Sequence, residues 1–191
     1  MREWAAAVSL ALLGGGFCQE GKKQEPPVEV FEDLGYRLVK PPGKESELWQ
    51  IKKENTYFKD TMELSSRVRS TKMCIYTQSV NPSSGSNFDL DGGFNKYLED
   101  VKGNENYKSV EVKEKDKRKF PATKDNANYV LMEVEDKGGG KMMWETWQFQ
   151  SQKNQNIFSI HILATPEDWE KDKRWIEVLR AQGFQTLKVK R

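Results

Sequence analysis

Tyr129-Val-Leu-Met-Glu-Val134, Met142-Met-Trp-Glu-Thr-Trp-Gln-Phe149 and Ile157-Phe-Ser-Ile-His-Ile-Leu163 decide the fold. β-Branched and aromatic residues dominate the three runs, and polar stretches bound them, so each reads as a strand. Loops of about 4–7 residues are too short for a crossover, which makes the strands antiparallel neighbours. Alternation sorts their side chains onto two faces. Val130, Met132 and Val134 oppose Tyr129 and Leu131, and Trp144 opposes Met143, Trp147 and Phe149. Phe158, Ile160 and Ile162 likewise oppose Ile157 and Leu163. Both faces are apolar, and such a sheet must be covered on both sides.

Two segments supply the cover. Leu90, Phe94, Tyr97, Leu98 and Val101 lie on one face at helical spacing. The Gly92-Gly93 pair weakens the first turn and moves the expected start to about Gly93, while Gly103 suits a left-handed cap. Thr165-Pro-Glu-Asp168 opens a second helix, with Thr as N-cap, Pro in the first turn and acids behind it. That helix is expected to run to about Gln182 and stop at Gly183, with Phe184–Val189 returning as a short strand.

The remaining segments extend the sheet. Gly35–Val39 reads as an edge strand stopped by Pro41-Pro42, and Leu48–Ile51 as a short segment whose Trp49 plugs the core. Met62–Arg69 and Met73–Val80 form a hairpin. Tyr107–Val112 is a strand whose charged extension Lys113–Lys119 is expected to project into water. The expectation is an α+β domain over residues 34–191: an antiparallel sheet of about six strands with a helix on each face.

The N-terminus reads as an address. Arg2, the apolar run Ala5–Leu13 and Gly14-Gly-Gly16 match a signal peptide over residues 1–17. The run falls short of the ~20 residues that span a bilayer. Cys18 follows, then a polar linker over 18–33 containing Pro26-Pro27. This placement resembles a bacterial lipoprotein, in which such a cysteine is acylated. That pattern sets an aliphatic residue three before the cysteine and a small one directly before it; Gly15 and Phe17 stand there. Cleavage after Gly16 and plain secretion is the alternative. A Cys18–Cys74 disulfide is a third arrangement, disfavoured by the linker, and Cys74 reads as a small buried apolar residue.

With 31 basic and 29 acidic residues the net charge is +2, which gives no reason to expect a nucleic-acid partner. One histidine and two cysteines are too few for a four-ligand Cys/His zinc site.

The order of elements resembles the PsbP-like fold, shared by photosystem extrinsic proteins and DcrB-type bacterial envelope lipoproteins. The likeness runs over about residues 34–190. It rests on Gly35-Tyr-x-x-x-x-Pro41-Pro42, one mid-chain helix, Phe120-Pro-Ala leading into a meander, and a last helix followed by Phe184-Gln-Thr-Leu. It implies an α-β-α sandwich and a non-enzymatic module that assists larger membrane assemblies, with no catalytic residues to carry over.

Each chemical candidate has a plain rival. His161 is the only base a hydrolase triad could use, yet no Gly-x-Ser-x-Gly accompanies it, so it reads as structural. Asn87-x-Asp89-x-Asp91-Gly92 matches half of a calcium loop, but position twelve is Leu98, and capping explains the acids better. Lys137-Gly-Gly-Gly-Lys141 joins two strands rather than opening a helix, so it is a hairpin tip and not a phosphate loop. Lys113–Lys119 is basic enough to meet anionic headgroups beside a lipid anchor, though a solvated hairpin is the simpler reading. Trp144 and Trp147 point oppositely and make core anchors rather than a stacking platform.

The expected function is an envelope binding or assembly module without enzymatic activity, metal or cofactor. Cys18 would tether it to the membrane, and its partner would be an envelope protein or membrane assembly. The alternative is a carrier whose Trp144, Trp147, Phe149 and Phe158 line a cavity for an apolar ligand.

Overall fold

The computed structural model describes residues 28–32, 34–52, 62–78 and 88–188. The expected signal peptide, Cys18 and most of the linker therefore lie outside the described residues. Among the described residues, ten strands fall into two sheets. The larger contains seven antiparallel strands: β3 (Trp49–Lys52), β4 (Met62–Ser66), β5 (Lys72–Gln78), β6 (Tyr107–Lys119), β7 (Asn126–Asp136), β8 (Lys141–Gln150) and β9 (Ile157–Ala164). Their order is β3-β4-β5-β9-β8-β7-β6, so the meander read from Tyr129 to Leu163 forms its centre.

Helix α1 (Leu90–Lys102) covers one face. Phe94, Leu98 and Val101 recur at helical spacing and pack on Val130, Met132 and Val134, the predicted face of β7. The helix begins at Leu90 rather than Gly93 because the Asp89 side chain caps it, accepting from the Gly92 amide at 2.9 Å. The cap offsets the low helix propensity of the glycine pair. Gly103 closes the helix with φ −84°, in the right-handed region and not in the left-handed one expected.

The opposite face carries the larger core. Phe149, Phe158, Ile160 and Ile162 have no exposed surface, and each such side chain contributes roughly 1.5–3 kcal/mol by leaving water. Helices α2 (Pro166–Lys171) and α3 (Lys173–Val178) supply Trp169 and Ile176 to it. The expected single helix is thus broken at Asp172, whose buried carboxylate turns aside to accept from Thr71 Oγ1 at 2.6 Å and to pair with Arg69. A π-helical turn, Leu179–Gly183, completes the descent.

The second sheet was not foreseen. β1 (Val28–Phe31), β2 (Tyr36–Val39) and β10 (Phe184–Thr186) form a three-stranded layer with β2 in the middle. The predicted edge strand 35–39 is therefore central, and β1 lies inside the stretch read as linker. Tyr36, Leu38 and Phe184 are fully buried against the larger sheet. The α+β sandwich stands as expected, with seven strands in its main sheet rather than about six, and with the second sheet sharing one face with α2 and α3.

Candidate functional site

The groups able to do chemistry are tied to one another beneath the helices. On the α1 face, Trp144 Nε1 donates to His161 Nδ1 at 3.1 Å, and Thr146 Oγ1 lies 2.9 Å from the same nitrogen. An indole N–H only donates, so Nδ1 accepts and the histidine proton sits on Nε2. Tyr97 Oη stands 3.0 Å from Thr146 Oγ1. The chain of donors runs from Tyr97 through Thr146 to His161. Burial pushes the histidine down to about 3, so it is neutral at physiological pH. The Tyr76 ring meets the imidazole edge-on at 5.0 Å. Alternation along β9 puts His161 on the face of Ile157 and Leu163, but it does not reveal that Tyr76, Tyr97, Trp144 and Thr146 gather around the imidazole.

On the core face, Glu145 is wholly buried, accepts from Trp147 Nε1, and pairs with Arg180 of the π-helical turn. Cys74 is buried beside Glu63, and its thiol is pushed up to about 12, chiefly by burial. Such a thiol is a poor nucleophile.

The acids of the half calcium loop have separate duties. Asp89 caps α1, while Asp91 accepts from Lys117 and from Asn128 Nδ2 at 3.0 Å, and Asn87 lies outside the described residues. Lys117 and Asn128 together hold the Asp91 carboxyl below its ordinary range. Among the described residues no group of three or more His, Cys, Asp or Glu is placed to hold a metal. Lys137–Lys141 is a hairpin tip closed by Asp136, which accepts from the Gly140 amide at 2.9 Å, with Gly139 at φ 86°.

The aromatic residues proposed to line a cavity do not share one. Trp144 packs toward α1, with Tyr107 edge-on at 6.4 Å. Trp147, Phe149 and Phe158 lie on the opposite face, where Phe149 stacks on Phe120 at 5.1 Å and Phe158 meets Phe184 at 5.0 Å. These rings fill space for one another.

The exposed organised feature is β6. Residues 113–119 were expected to project into water as a hairpin; they continue the strand and form an outer edge of the main sheet. A bulge between Val112 and Glu114 resets the alternation. Beyond it Lys115, Lys117 and Lys119 share the face of Val130, and Glu114, Asp116 and Arg118 share that of Leu131 and Tyr129. Charge does not prevent the strand because each row finds partners: Lys115 with Asn95, Lys117 with Asp91, and Arg118 with Glu114, Asp116 and the Tyr129 ring at 4.1 Å. Between this edge and the first turns of α1 lies a groove of about 390 Å³, with Phe94 and Asn128 among its lining and Lys115, Asp116 and Lys117 beside them. The missed signal was the continued spacing of like charges two apart in Lys115, Lys117 and Lys119, which is strand periodicity written in lysine.

Solved structures share this arrangement. The solution structure of cyanobacterial PsbP from Synechocystis sp. PCC 6803 superposes with a TM-score of 0.55 and 11% identity, covering 92% of this chain and 98% of that one. LpqN of Mycobacterium tuberculosis, described as involved in cell envelope biogenesis, gives 0.52 and 9%, covering 88% of this chain and 87% of that one. The fold is PsbP-like. The Ran-binding protein Mog1p of Saccharomyces cerevisiae is similar too, with a TM-score of 0.50 and 11% identity over 85% of this chain and 95% of that one. No protein-family model and no curated protein sequence matches the chain. In the PsbP-like frame, the His161 cluster lies under α1 and Glu145 under the π-helical turn. The lysine row is exposed at the sheet's edge.

Proposed function

We propose that the chain is a non-enzymatic binding or assembly module of the bacterial cell envelope, exported and held at the membrane through acylated Cys18. One observation carries the choice of binding over catalysis: the reactive groups are spent internally, and the ordered polar surface is a strand edge. His161 is neutral and enclosed, Glu145 is neutralised by Arg180, and the Cys74 thiol is suppressed. The likeness in fold to an envelope-biogenesis protein and to PsbP supports the same reading.

The tether comes from the sequence: an apolar run of signal length, then Cys18. No helix among the described residues is long and apolar enough to cross a membrane. Expression in a bacterial host with radiolabelled palmitate tests the tether. Label is expected on the wild type and not on C18S; equal label on both would remove it. A pull-down from detergent-solubilised membranes with residues 28–191 as bait should then return the same envelope protein or assembly in repeated preparations.

A further inference from the structure

We infer that the outer edge of β6 is a docking site for an extended acidic segment of the partner protein, which adds to the sheet as an eighth strand beside Lys115, Lys117 and Lys119. This names the chemistry of the partner and rests on the binding-module reading above.

The backbone settles which groups are available. The Phe120 amide donates to the Asp125 carbonyl at 2.9 Å, so residues 118, 116 and 114 turn their amides toward β7 by alternation. Lys115, Lys117 and Lys119 therefore turn theirs outward, where no strand pairs with them among the described residues. The same three residues carry the ammonium groups on the α1 face. An incoming antiparallel strand that bonds their backbone sets its own residues directly opposite, with side chains on that face. Acidic residues at every second position would meet the lysines one for one.

A second copy of this chain does not suit the edge. A two-fold axis normal to the sheet keeps each face with itself, so self-pairing over 115–119 lays lysine against lysine. Like charges directly opposite are unfavourable. The edge also carries its own plug: the Lys117 amide donates to the Asp116 carboxylate at 2.7 Å. That contact blocks a ladder position in the unbound protein, as exposed sheet edges commonly require, and must swing away when a strand arrives. Lys115 and Lys117 are already engaged, by Asn95 at 2.9 Å and by Asp91 respectively, so the partner must compete with local acceptors. This favours several carboxylates in register over a single anion.

The probe is a blocked synthetic decapeptide alternating Glu and Thr, compared with one of the same composition in which five Glu precede five Thr. Binding is read by fluorescence anisotropy at two salt concentrations, and position by amide exchange on the folded domain. The alternating peptide is expected to bind about tenfold more tightly than the block peptide and to protect the amides of Lys115, Lys117 and Lys119. K115Q/K117Q/K119Q should lose that preference, while D116N, which weakens the plug, should tighten binding. D116N keeps the test sound should the triple variant fold poorly. The proposal is overturned if the two peptides bind alike, if the Lys115 and Lys119 amides are protected without peptide, or if anionic phosphatidylglycerol vesicles occupy the lysines and the alternating peptide does not. Concentration-dependent dimerisation through β6 would overturn it too. Palmitate labelling of Cys18 is independent of all these results, so the edge and the tether fail separately.

Discussion

Arg180 reaches from the π-helical turn to Glu145, so the only carboxylate with no exposed surface among the described residues meets its cation where the last helix departs from α-helical geometry. π-Helical turns widen the backbone and often reposition one side chain; here the side chain is Arg180. Removing one partner of a buried pair strands the other charge. R180A is expected to lower unfolding free energy by about 3–5 kcal/mol. R180M/E145L, which removes both charges, should cost markedly less. Urea unfolding followed by tryptophan fluorescence measures both, and a double variant no more stable than R180A would contradict the pairing.

His161 makes stability depend on pH in a specific direction. Unfolded, it titrates near its ordinary 6.5; folded, burial pushes it down to about 3. Between those values the unfolded chain binds the extra proton and the folded chain does not, so acid favours unfolding. The histidine's contribution is fully present above 6.5 and declines toward 3 by up to ~1.4 kcal/mol per pH unit. H161Q removes the titration and leaves an acceptor for Trp144. The stability difference between wild type and H161Q should shift in favour of the variant as pH falls from 7 to about 4.5. Parallel profiles would show that the imidazole is not enclosed.

The sequence revealed the centre of the fold and concealed its margins for physical reasons. β7, β8 and β9 are legible because apolar residues alternate on both faces, a pattern only a doubly covered sheet satisfies. The small sheet carries no signal of its pairing: β2 and β10 read locally as short strands, but they are three or four residues long and Tyr36 meets Thr186 across most of the chain. The charged half of β6 reads as a loop because its period of two is carried by lysine rather than by apolar residues. Glu145 was within reach, since alternation places it on the opposite face from Trp144 and Thr146, where it lies across from the apolar Ile162 of β9. Its partner Arg180 was not, because no pattern in the helix announces the π-helical turn.

The cap of α1 is a small test of the half calcium loop. If Asp89 serves the helix, D89A should cost about 1 kcal/mol whether or not calcium is present. G92A is the sharper variant. A Cβ there would collide with the Asp89 carboxylate, so the propensity gain of about 1 kcal/mol from replacing glycine should be offset by the lost cap. Thermal unfolding with and without calcium checks both. Calcium-dependent stabilisation of wild type alone would restore the metal reading.

Asn154 ties the two sheets together from the turn between β8 and β9. Its side-chain amide donates to Gly35 O at 2.8 Å and to Leu187 O at 2.9 Å, and its oxygen accepts from the Asn156 amide at 3.1 Å. Gly35 O retains a second donor, the Leu187 amide at 2.7 Å, whereas Leu187 O accepts from the Asn154 side chain. N154A should therefore cost about 1–3 kcal/mol, the range for stranding buried polar groups. N154D keeps the shape but sets a carboxylate against two carbonyl oxygens, so it should cost more than N154A. The loss should be local first: amide exchange at Leu187 and through β2 and β10 should accelerate before that of β7–β9. Uniform acceleration across both sheets would mean that they unfold as one unit and that Asn154 stabilises the whole rather than the seam.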